Sequence, residues 1–206
     1  MLTEKAQVYK SYRKLLIFIW VLLMTVPGCD RLSVKDTLEG EEYHLINQFH
    51  EQISFPAAVQ GKVVLIGYVY THCPDICPII TFNMRDIQQE FADRDDFMLI
   101  SISFDPQRDT PDVLSEYASN YRLDQDNWHL LTGEPQNVEA ILERLRIGTL
   151  KSPTRFTESG TPVYFIDHTD RVTLIDEKGQ IRRNYPGSEL DKDEVVKDIQ
   201  KLLNQS

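Results

Sequence analysis

The sequence lacks three features that would each define a class of protein. It has no apolar run of about 20 residues, the length that a membrane-spanning helix requires, since the run at residues 15–26 has twelve. It has no internal repeat and no low-complexity tract, so a repeat architecture is excluded. Basic residues are also scarce, with 22 Lys and Arg against 32 Asp and Glu. A chain of 206 residues without these features is expected to form one ordinary domain with extra residues at its ends.

The shortage of basic residues is greater outside the first 28 residues. That stretch holds four basic residues and one acidic residue, so the remainder has 18 basic against 31 acidic residues and a net charge of −13. Such a polyanion repels phosphate backbones, and we expect no nucleic-acid partner. The charge does not by itself predict a metal site, because acidic surfaces are usually just solvated.

The N-terminal residues have the order of features that is typical of an export signal. Four basic residues precede the apolar run of residues 15–26, which fits a signal peptide better than a permanent span. Cys29 follows after a Pro-Gly pair and resembles the acylation site of a bacterial lipoprotein. We expect residues 1–28 to be a lipoprotein signal or a membrane anchor, residues 29–50 a tether and residues 51–206 the domain. The domain then lies on the extracytoplasmic (periplasmic) face of the bacterial cytoplasmic membrane.

Cysteine is scarce as well, with only Cys29, Cys73 and Cys77 in the whole chain. Once Cys29 is assigned to a lipid, one pair remains. In an oxidising compartment such a pair forms a disulfide unless something reduces it or binds it to a metal. Cys73 and Cys77 are therefore a structural disulfide, a redox couple or two ligands of a metal site.

Strand and helix patterns alternate along the rest of the chain. A continuous β-branched and aromatic run at residues 62–70 predicts a central strand that is covered on both faces. Two further strands, each followed by a helix, come next, and a hairpin and an amphipathic helix close the chain. This order predicts an α/β protein with a thioredoxin-like fold: a mixed central sheet flanked by helices, with an added C-terminal β-hairpin region.

The cysteine pair lies at the carboxyl end of the first predicted strand, where an α/β sheet opens a crevice. A helix predicted to start at Pro78 places Cys77 at its N-terminus, where free N–H groups and the helix dipole favour thiolate over thiol. A thioredoxin-type redox site has C-x-x-C spacing, whereas three residues separate Cys73 and Cys77. Residues four apart in a helical turn have Cβ atoms about 5–6 Å apart, which is wide for a disulfide. The spacing favours two sulfurs on one ion without deciding the matter.

Two thiolates select a soft ion such as Cu(I), because zinc prefers a closed set of four ligands. A third ligand must then come from elsewhere. His168 is the best placed, at a strand end or turn that a thioredoxin-like sheet can bring to the active-site edge. Of the other histidines, His72 is expected to point away from the cysteines. His44 and His50 lie in the tether region, and His129 is expected to have a structural role within a strand.

Five stretches of the sequence together match one known family. They are GYVYTHCPDICP at 67–78, SISFDPQRDTP at 101–111, LLTG at 130–133, IDHT at 166–169 and LIDEKGQI at 174–181. In this order they resemble the Sco/SenC proteins, thioredoxin-fold copper proteins that assist assembly of cytochrome c oxidase. The resemblance implies that Cys73, Cys77 and His168 bind copper, as Cu(I) or as Cu(II) with a further ligand. It also implies that the chain donates copper to, or maintains the thiols of, the binuclear copper site of oxidase subunit II.

Four functions remain open at this point. A membrane-tethered metallochaperone would bind copper and pass it on by ligand exchange. A thiol–disulfide oxidoreductase would attack with one cysteine, resolve with the other, and have thiol–disulfide exchange proteins as partners. A peroxidase of the peroxiredoxin type is disfavoured, because only one residue separates Thr71 from Cys73 instead of the usual two. The fourth is a binding module with a structural disulfide, and whether the chain is an enzyme depends on this choice.

Overall fold

A computed structural model describes residues 31–160 and 162–205 of the chain. These residues form one mixed sheet of eight strands, two small two-stranded sheets and four α-helices. Cys29 and the apolar run of residues 15–26 lie outside the described residues. Among the helices of the described part, none is long and apolar enough to cross a membrane.

The elements are numbered in chain order. The strands of the described residues are β1 (Asp36–Thr37), β2 (Tyr43–Asn47), β3 (Gln52–Phe55), β4 (Val63–Val69), β5 (Phe97–Ser103), β6 (Trp128–Thr132), β7 (Thr149–Lys151), β8 (Arg155–Phe156), β9 (Pro162–Val163), β10 (Ile166–His168), β11 (Val172–Ile175) and β12 (Gln180–Tyr185). The helices are α1 (Ile76–Glu90), α2 (Pro111–Tyr121), α3 (Pro135–Arg144) and α4 (Lys192–Leu203), and a 3₁₀ turn covers Ala57–Val59.

The large sheet has the strand order β1-β12-β11-β4-β5-β6-β2-β3. Its centre is parallel, because β4, β5 and β6 run in the same direction, whereas β11 pairs with β4 in the antiparallel sense. Every residue of β4 and β5 is buried, as expected for strands with helices packed on both faces. Apolar side chains of α1, α2 and α4 pack on one face and those of α3 on the other. The predicted α/β, thioredoxin-like fold with a mixed sheet and a C-terminal hairpin (β11–β12) is confirmed.

Local sequence determines where the helices beside the site begin. Thr110 caps α2 by accepting a hydrogen bond from the N–H of Val113, and Pro111 is the first helical residue, as predicted. Helix α1 begins at Ile76, two residues before the predicted start at Pro78. The proline still fits, because the first N–H groups of a helix have no partner within it.

Strands β1 and β2 lie within residues 29–50, the range that the sequence assigned to a tether. β1 pairs with β12, and β2 pairs with both β3 and β6. Leu38 and Leu45 are fully buried in the core, and the compact unit begins at Leu32. These residues therefore belong to the folded domain. Strands of two and five residues are too short to give a sustained period, which is why the sequence hinted at a short strand near residues 44–56 but did not place these residues in the domain.

The chain between α3 and β11, the first part of which reads as a polar loop, forms the two small sheets. β7 pairs with β10, and β8 pairs with β9. The hydroxyl of Tyr164 donates a hydrogen bond of 2.8 Å to the carboxylate of Asp105, which follows β5. This contact fixes the small sheets at the carboxyl end of the parallel strands, the same edge at which the cysteines follow β4.

Candidate metal centre

Three side chains that are far apart in sequence meet at this edge of the sheet. Cys73 lies in the loop between β4 and α1, Cys77 lies in the first turn of α1, and His168 ends β10. Their two sulfurs and one ring nitrogen all lie within 4.8 Å of one another. Cys77 is fully buried and Cys73 is half-buried, and both are free thiols. The structure thus brings together the three residues that the sequence selected.

The imidazole of His168 turns one specific nitrogen toward the cysteines. Its Nδ1 lies 3.0 Å from the carbonyl oxygen of Thr169, and a carbonyl only accepts hydrogen bonds, so Nδ1 carries the proton. The lone pair of the neutral ring is then on Nε2, which lies 3.6 Å from Sγ of Cys77. A backbone carbonyl that fixes the tautomer in this way is the usual support of a metal-binding histidine.

Cys73 is the more acidic of the two thiols. The hydrogen bond from the Cys77 side chain lowers the pKa of Cys73 well below its ordinary value, and the N–H groups of Cys77 and Asp75 act in the same direction against the opposing effect of burial. The N–H of Cys77 reaches Sγ of Cys73 at 3.4 Å. This N–H belongs to the first turn of α1, so Cys73 is a thiolate held at a helix N-terminus.

Cys77 is affected in the opposite direction. Its hydrogen bond to Cys73 and its burial raise the pKa of Cys77 far above the ordinary value. The pair of sulfurs therefore carries one negative charge and one proton at neutral pH. A metal ion bound between them takes the place of that proton.

Phe104 holds the imidazole from the side. Its ring centroid lies 4.5 Å from that of His168, and the same Phe104 ring contacts Tyr70, with centroids 5.1 Å apart. Tyr70 is tied to both halves of the site: its hydroxyl accepts from the N–H of Ile166, and its carbonyl accepts from the N–H of Cys73. Sequence reasoning missed Phe104, although its position directly after β5 places it at the edge where the cysteines lie.

The loop that carries Cys73 is anchored by a buried carboxylate. Asp109 accepts hydrogen bonds from the N–H of Thr71 at 3.1 Å, from the hydroxyl of Thr71 at 2.6 Å and from the hydroxyl of Ser103 at 2.5 Å. Asp109 is fully buried, and this burial raises the pKa of its carboxyl group. Sequence reasoning missed this contact, since nothing in the chain pattern pairs residues 71 and 109.

The remaining histidines lie apart from the three-residue cluster. His72 is exposed, and its Nδ1 lies 3.0 Å from the hydroxyl of Thr71. His50 pairs with Asp112 at 2.8 Å on the surface. His44 is likewise exposed, and His129 packs edge-on against Phe49. Within the described residues, these rings contribute no atom to the site.

The donor set limits what this site can do. Two sulfurs and one imidazole suit a soft ion, and three donors leave a fourth position open. The same cysteines also suit disulfide exchange, because the Cys73 thiolate lies in the loop before α1, next to the Cys77 thiol at the helix N-terminus. The geometry therefore supports two related kinds of chemistry, metal binding and thiol exchange.

Comparisons with known proteins agree with the geometry. The family model described as SCO1/SenC matches residues 33–204. The SCO1 protein homolog of Bacillus subtilis is 30% identical over 183 residues, which cover 87% of this chain and 91% of that protein.

Solved structures show the same relationship. Bradyrhizobium japonicum ScoI, determined with copper bound, has a TM-score of 0.68 and 28% identity over 80% of this chain and 99% of that one. BsSco, described as a member of the Sco family of cytochrome c oxidase assembly proteins with a disulfide switch, has a TM-score of 0.65 and 26% identity over 84% and 98% of the two chains. Sequence, fold and the Cys-Cys-His cluster lead to one conclusion: the chain belongs to the SCO1/SenC family.

Proposed function

We propose that the chain binds one copper ion, as Cu(I), through Cys73, Cys77 and His168 and delivers it to the binuclear copper site of cytochrome c oxidase subunit II. The observation that carries the proposal is the cluster itself, with both sulfurs and the ring nitrogen within 4.8 Å of one another. Soft sulfur donors with one imidazole favour Cu(I) over harder ions. The copper-bound structure of ScoI from Bradyrhizobium japonicum, which covers 80% of this chain, supports the choice of ion.

Delivery requires a site that holds copper without enclosing it. Three ligands leave room for a fourth, so an acceptor can bind the ion before the chain releases it, and the ion then passes by ligand exchange. Cys73 and His168 are half-buried and open to such an acceptor, whereas Cys77 is fully buried. Cu(II) binds through the same residues with one further ligand.

The proposal places the domain on the extracytoplasmic side of a bacterial cytoplasmic membrane. Residues 1–28 act as a lipoprotein signal or as an uncleaved anchor, Cys29 is the lipidation site, and the residues that follow connect it to the thioredoxin-like domain. Mass spectrometry of the membrane fraction tests this arrangement. A lipid-modified Cys29 at the N-terminus of the mature chain supports the lipoprotein form, and an intact residue 1 supports the anchor.

A second candidate function is thiol–disulfide exchange. It is favoured by the lowered pKa of Cys73 and by the N–H of Cys77 at its sulfur. The Cys73 thiolate would attack a disulfide of a client protein and form a mixed disulfide with it. Cys77 would then resolve that bond, leaving a Cys73–Cys77 disulfide while the client gains two electrons and two thiols. Oxidation ties both sulfurs into a disulfide, so the oxidised chain cannot bind copper through them.

Anaerobic titration of the reduced full-length chain in mild detergent distinguishes the two functions. Against a competing Cu(I) chelator, we expect about one copper per chain to be retained, and far less by Cys73→Ser or Cys77→Ser. The loaded chain is then mixed with the reduced, copper-free soluble domain of subunit II, and copper is measured in each protein after separation. If the reduced chain binds no copper, the metallochaperone function is ruled out and thiol exchange is the remaining function.

A further inference from the structure

The candidate ligands lie on elements that do not pair with each other. His168 ends β10, which pairs with β7 in a small sheet that is separate from the large one. Cys77 lies in the first turn of α1, which packs on the large sheet. The distance between the imidazole and the sulfur therefore depends on contacts that connect the end of β10 to α1.

The start of β10 is fixed by Tyr70, whose hydroxyl accepts a hydrogen bond from the N–H of Ile166. The end of β10, where His168 lies, is fixed by a different set of contacts. These contacts run through residues 187 and 188, in the turn between β12 and α4.

This turn is tied first to α1. The side-chain amide of Asn83, a residue of α1, donates a hydrogen bond of 3.1 Å to the carbonyl of Gly187 and lies 3.4 Å from the carbonyl of Ser188. The turn therefore has a fixed position relative to the helix that carries Cys77.

The same turn is tied to the chain that follows His168. The carboxylate of Asp170 accepts a hydrogen bond of 2.9 Å from the N–H of Ser188 and one of 2.5 Å from its hydroxyl. Two bonds from one residue to the two oxygens of a carboxylate fix its orientation as well as its position. Asn83, Gly187, Ser188 and Asp170 thus form a polar bridge from α1 to the end of β10.

Packing within the polar bridge is tight. A β-carbon built on the buried Gly187 would lie 2.8 Å from Oδ1 of Asp170 and 2.9 Å from Cγ1 of Ile80. Both distances are well below normal contact between carbon and a heavy atom. Ile80 is fully buried in α1, one turn after Cys77. Asp170 and α1 therefore approach each other closely through a residue that has no side chain.

The polar bridge reaches the imidazole through one peptide unit. The carbonyl of Thr169, which accepts the Nδ1 proton of His168, belongs to the same planar peptide unit as the nitrogen of Asp170. The other side of Thr169 is held by Gly148, which accepts from the Thr169 N–H at 2.9 Å and donates to its hydroxyl at 3.0 Å. The peptide unit that selects the tautomer of His168 is thus held at both ends.

We propose that Asp170 is a positioning residue for His168: by binding Ser188, it holds the peptide unit of residues 169 and 170 so that Nε2 faces Cys77 before copper binds. Asp170 does not touch the ion. It raises copper affinity because a ring that is already oriented loses less conformational freedom on binding. The effect on affinity rests on the proposed function, whereas the effect on the ring belongs to the metal-free chain.

The first test needs no copper. Histidine rings are isotope-labelled in the reduced full-length chain in mild detergent, and the tautomer is read by carbon NMR at about pH 8, where an ordinary imidazole is neutral. The His168 signal is identified by its absence in His168→Ala. We expect the Nδ1–H tautomer in the wild-type chain and a mixture of tautomers in Asp170→Ala. Asp170→Asn should restore the single tautomer, because an amide can accept from the N–H of Ser188 and donate to its hydroxyl.

The second test measures Cu(I) affinity by chelator competition. Asp170→Ala should weaken binding about tenfold, and it should cause no further loss when His168 is already alanine, because it acts through that ring. The matched control is Asp167→Ala, which removes an equal charge next to His168. Asp167 is exposed and lies on the opposite face of β10 from the imidazole, so this variant should bind copper normally.

Three results would each overturn the proposal. They are an unchanged tautomer in Asp170→Ala, equal copper affinities for Asp170→Ala and Asp167→Ala, and an equal loss from Asp170→Ala with and without His168. A wild-type chain that retains no copper would instead refute the proposed function. The ring signal would still decide the role of Asp170, because it is recorded without the metal.

Discussion

His168 faces Cys77 across 3.6 Å, with Nε2 directed at the sulfur and Nδ1 tied to the carbonyl of Thr169. The ring therefore presents a lone pair to a thiol that still holds its proton, while the negative charge is on Cys73. A proton on Cys77 thus occupies the place that an ion bound by these three residues would take.

Replacing the histidine tests whether it is a ligand. We expect His168→Ala to weaken Cu(I) binding to the reduced chain about 100-fold, since loss of a supporting residue alone typically costs 10- to 100-fold. The thiols of this variant should still be oxidised and reduced. The matched control is His129→Ala, which removes a half-buried histidine outside the cluster. Equal copper affinities for the two variants, measured by chelator competition, would contradict a three-ligand site.

The protonation of the thiol pair predicts how copper affinity depends on pH. Hydrogen bonding and burial raise the pKa of Cys77 above its unfolded value and lower that of Cys73. Near neutral pH, copper must therefore displace one proton, from Cys77. Affinity should rise with pH by about tenfold per unit, measured against a chelator that does not titrate between pH 6 and 8. If copper affinity does not depend on pH, no proton leaves on binding; if it changes about a hundredfold per pH unit, two protons leave. Either result would contradict the prediction.

The contact between Phe104 and His168 predicts a positioning role for the phenylalanine. Phe104→Leu keeps the position apolar but removes the ring that lies 4.5 Å from the imidazole. We expect copper affinity to fall about tenfold and the free energy of unfolding to fall by about 1 kcal/mol. Phe97→Leu is the control, since Phe97 is buried at the other end of β5. Phe97→Leu should lose a similar amount of stability and bind copper normally. If both variants lose copper affinity, Phe104 has only a packing role and does not position His168.

Asp109 predicts a pH dependence of stability. Burial raises the pKa of this carboxyl group above its unfolded value, so its stabilising contribution is complete below the unfolded pKa and is lost as pH rises through the folded pKa. Asp109→Asn keeps an acceptor for the loop and does not titrate. The wild-type chain should therefore gain stability relative to this variant between pH 7 and pH 4.5, as measured by urea unfolding. A relative loss of stability over that interval would contradict the assignment.

Asp109→Ala provides a second test of the same carboxylate. It leaves the N–H and the hydroxyl of Thr71 without their buried partner, so we expect a loss of about 2–3 kcal/mol in the free energy of unfolding. The Asn variant, measured in parallel, should lose much less because its side chain can still accept a hydrogen bond. Similar losses in the two variants would contradict the claim that hydrogen bonds accepted by this side chain anchor the loop that carries Cys73.

The sequence predicted those parts of the fold that have a strong local signal. The apolar run at β4 and the proline and threonine at the start of α2 indicated their elements directly. The cysteine pair and His168 were selected because strand ends of an α/β sheet meet at one edge. Phe104 and Asp109 act through contacts that depend on tertiary packing, which no local pattern encodes. β1, β7 and β8 were missed because strands of two or three residues give no sustained period.

The most direct test of the central claim is X-ray absorption at the copper edge of the reduced, Cu(I)-loaded full-length chain. We expect two sulfur neighbours at about 2.3 Å and one nitrogen neighbour at about 2.0 Å, by analogy with zinc–thiolate and zinc–imidazole bonds. In His168→Ala the nitrogen shell should be lost while both sulfurs remain. A wild-type spectrum that is unchanged by His168→Ala, or that contains fewer than two sulfurs, would contradict a copper site formed by Cys73, Cys77 and His168.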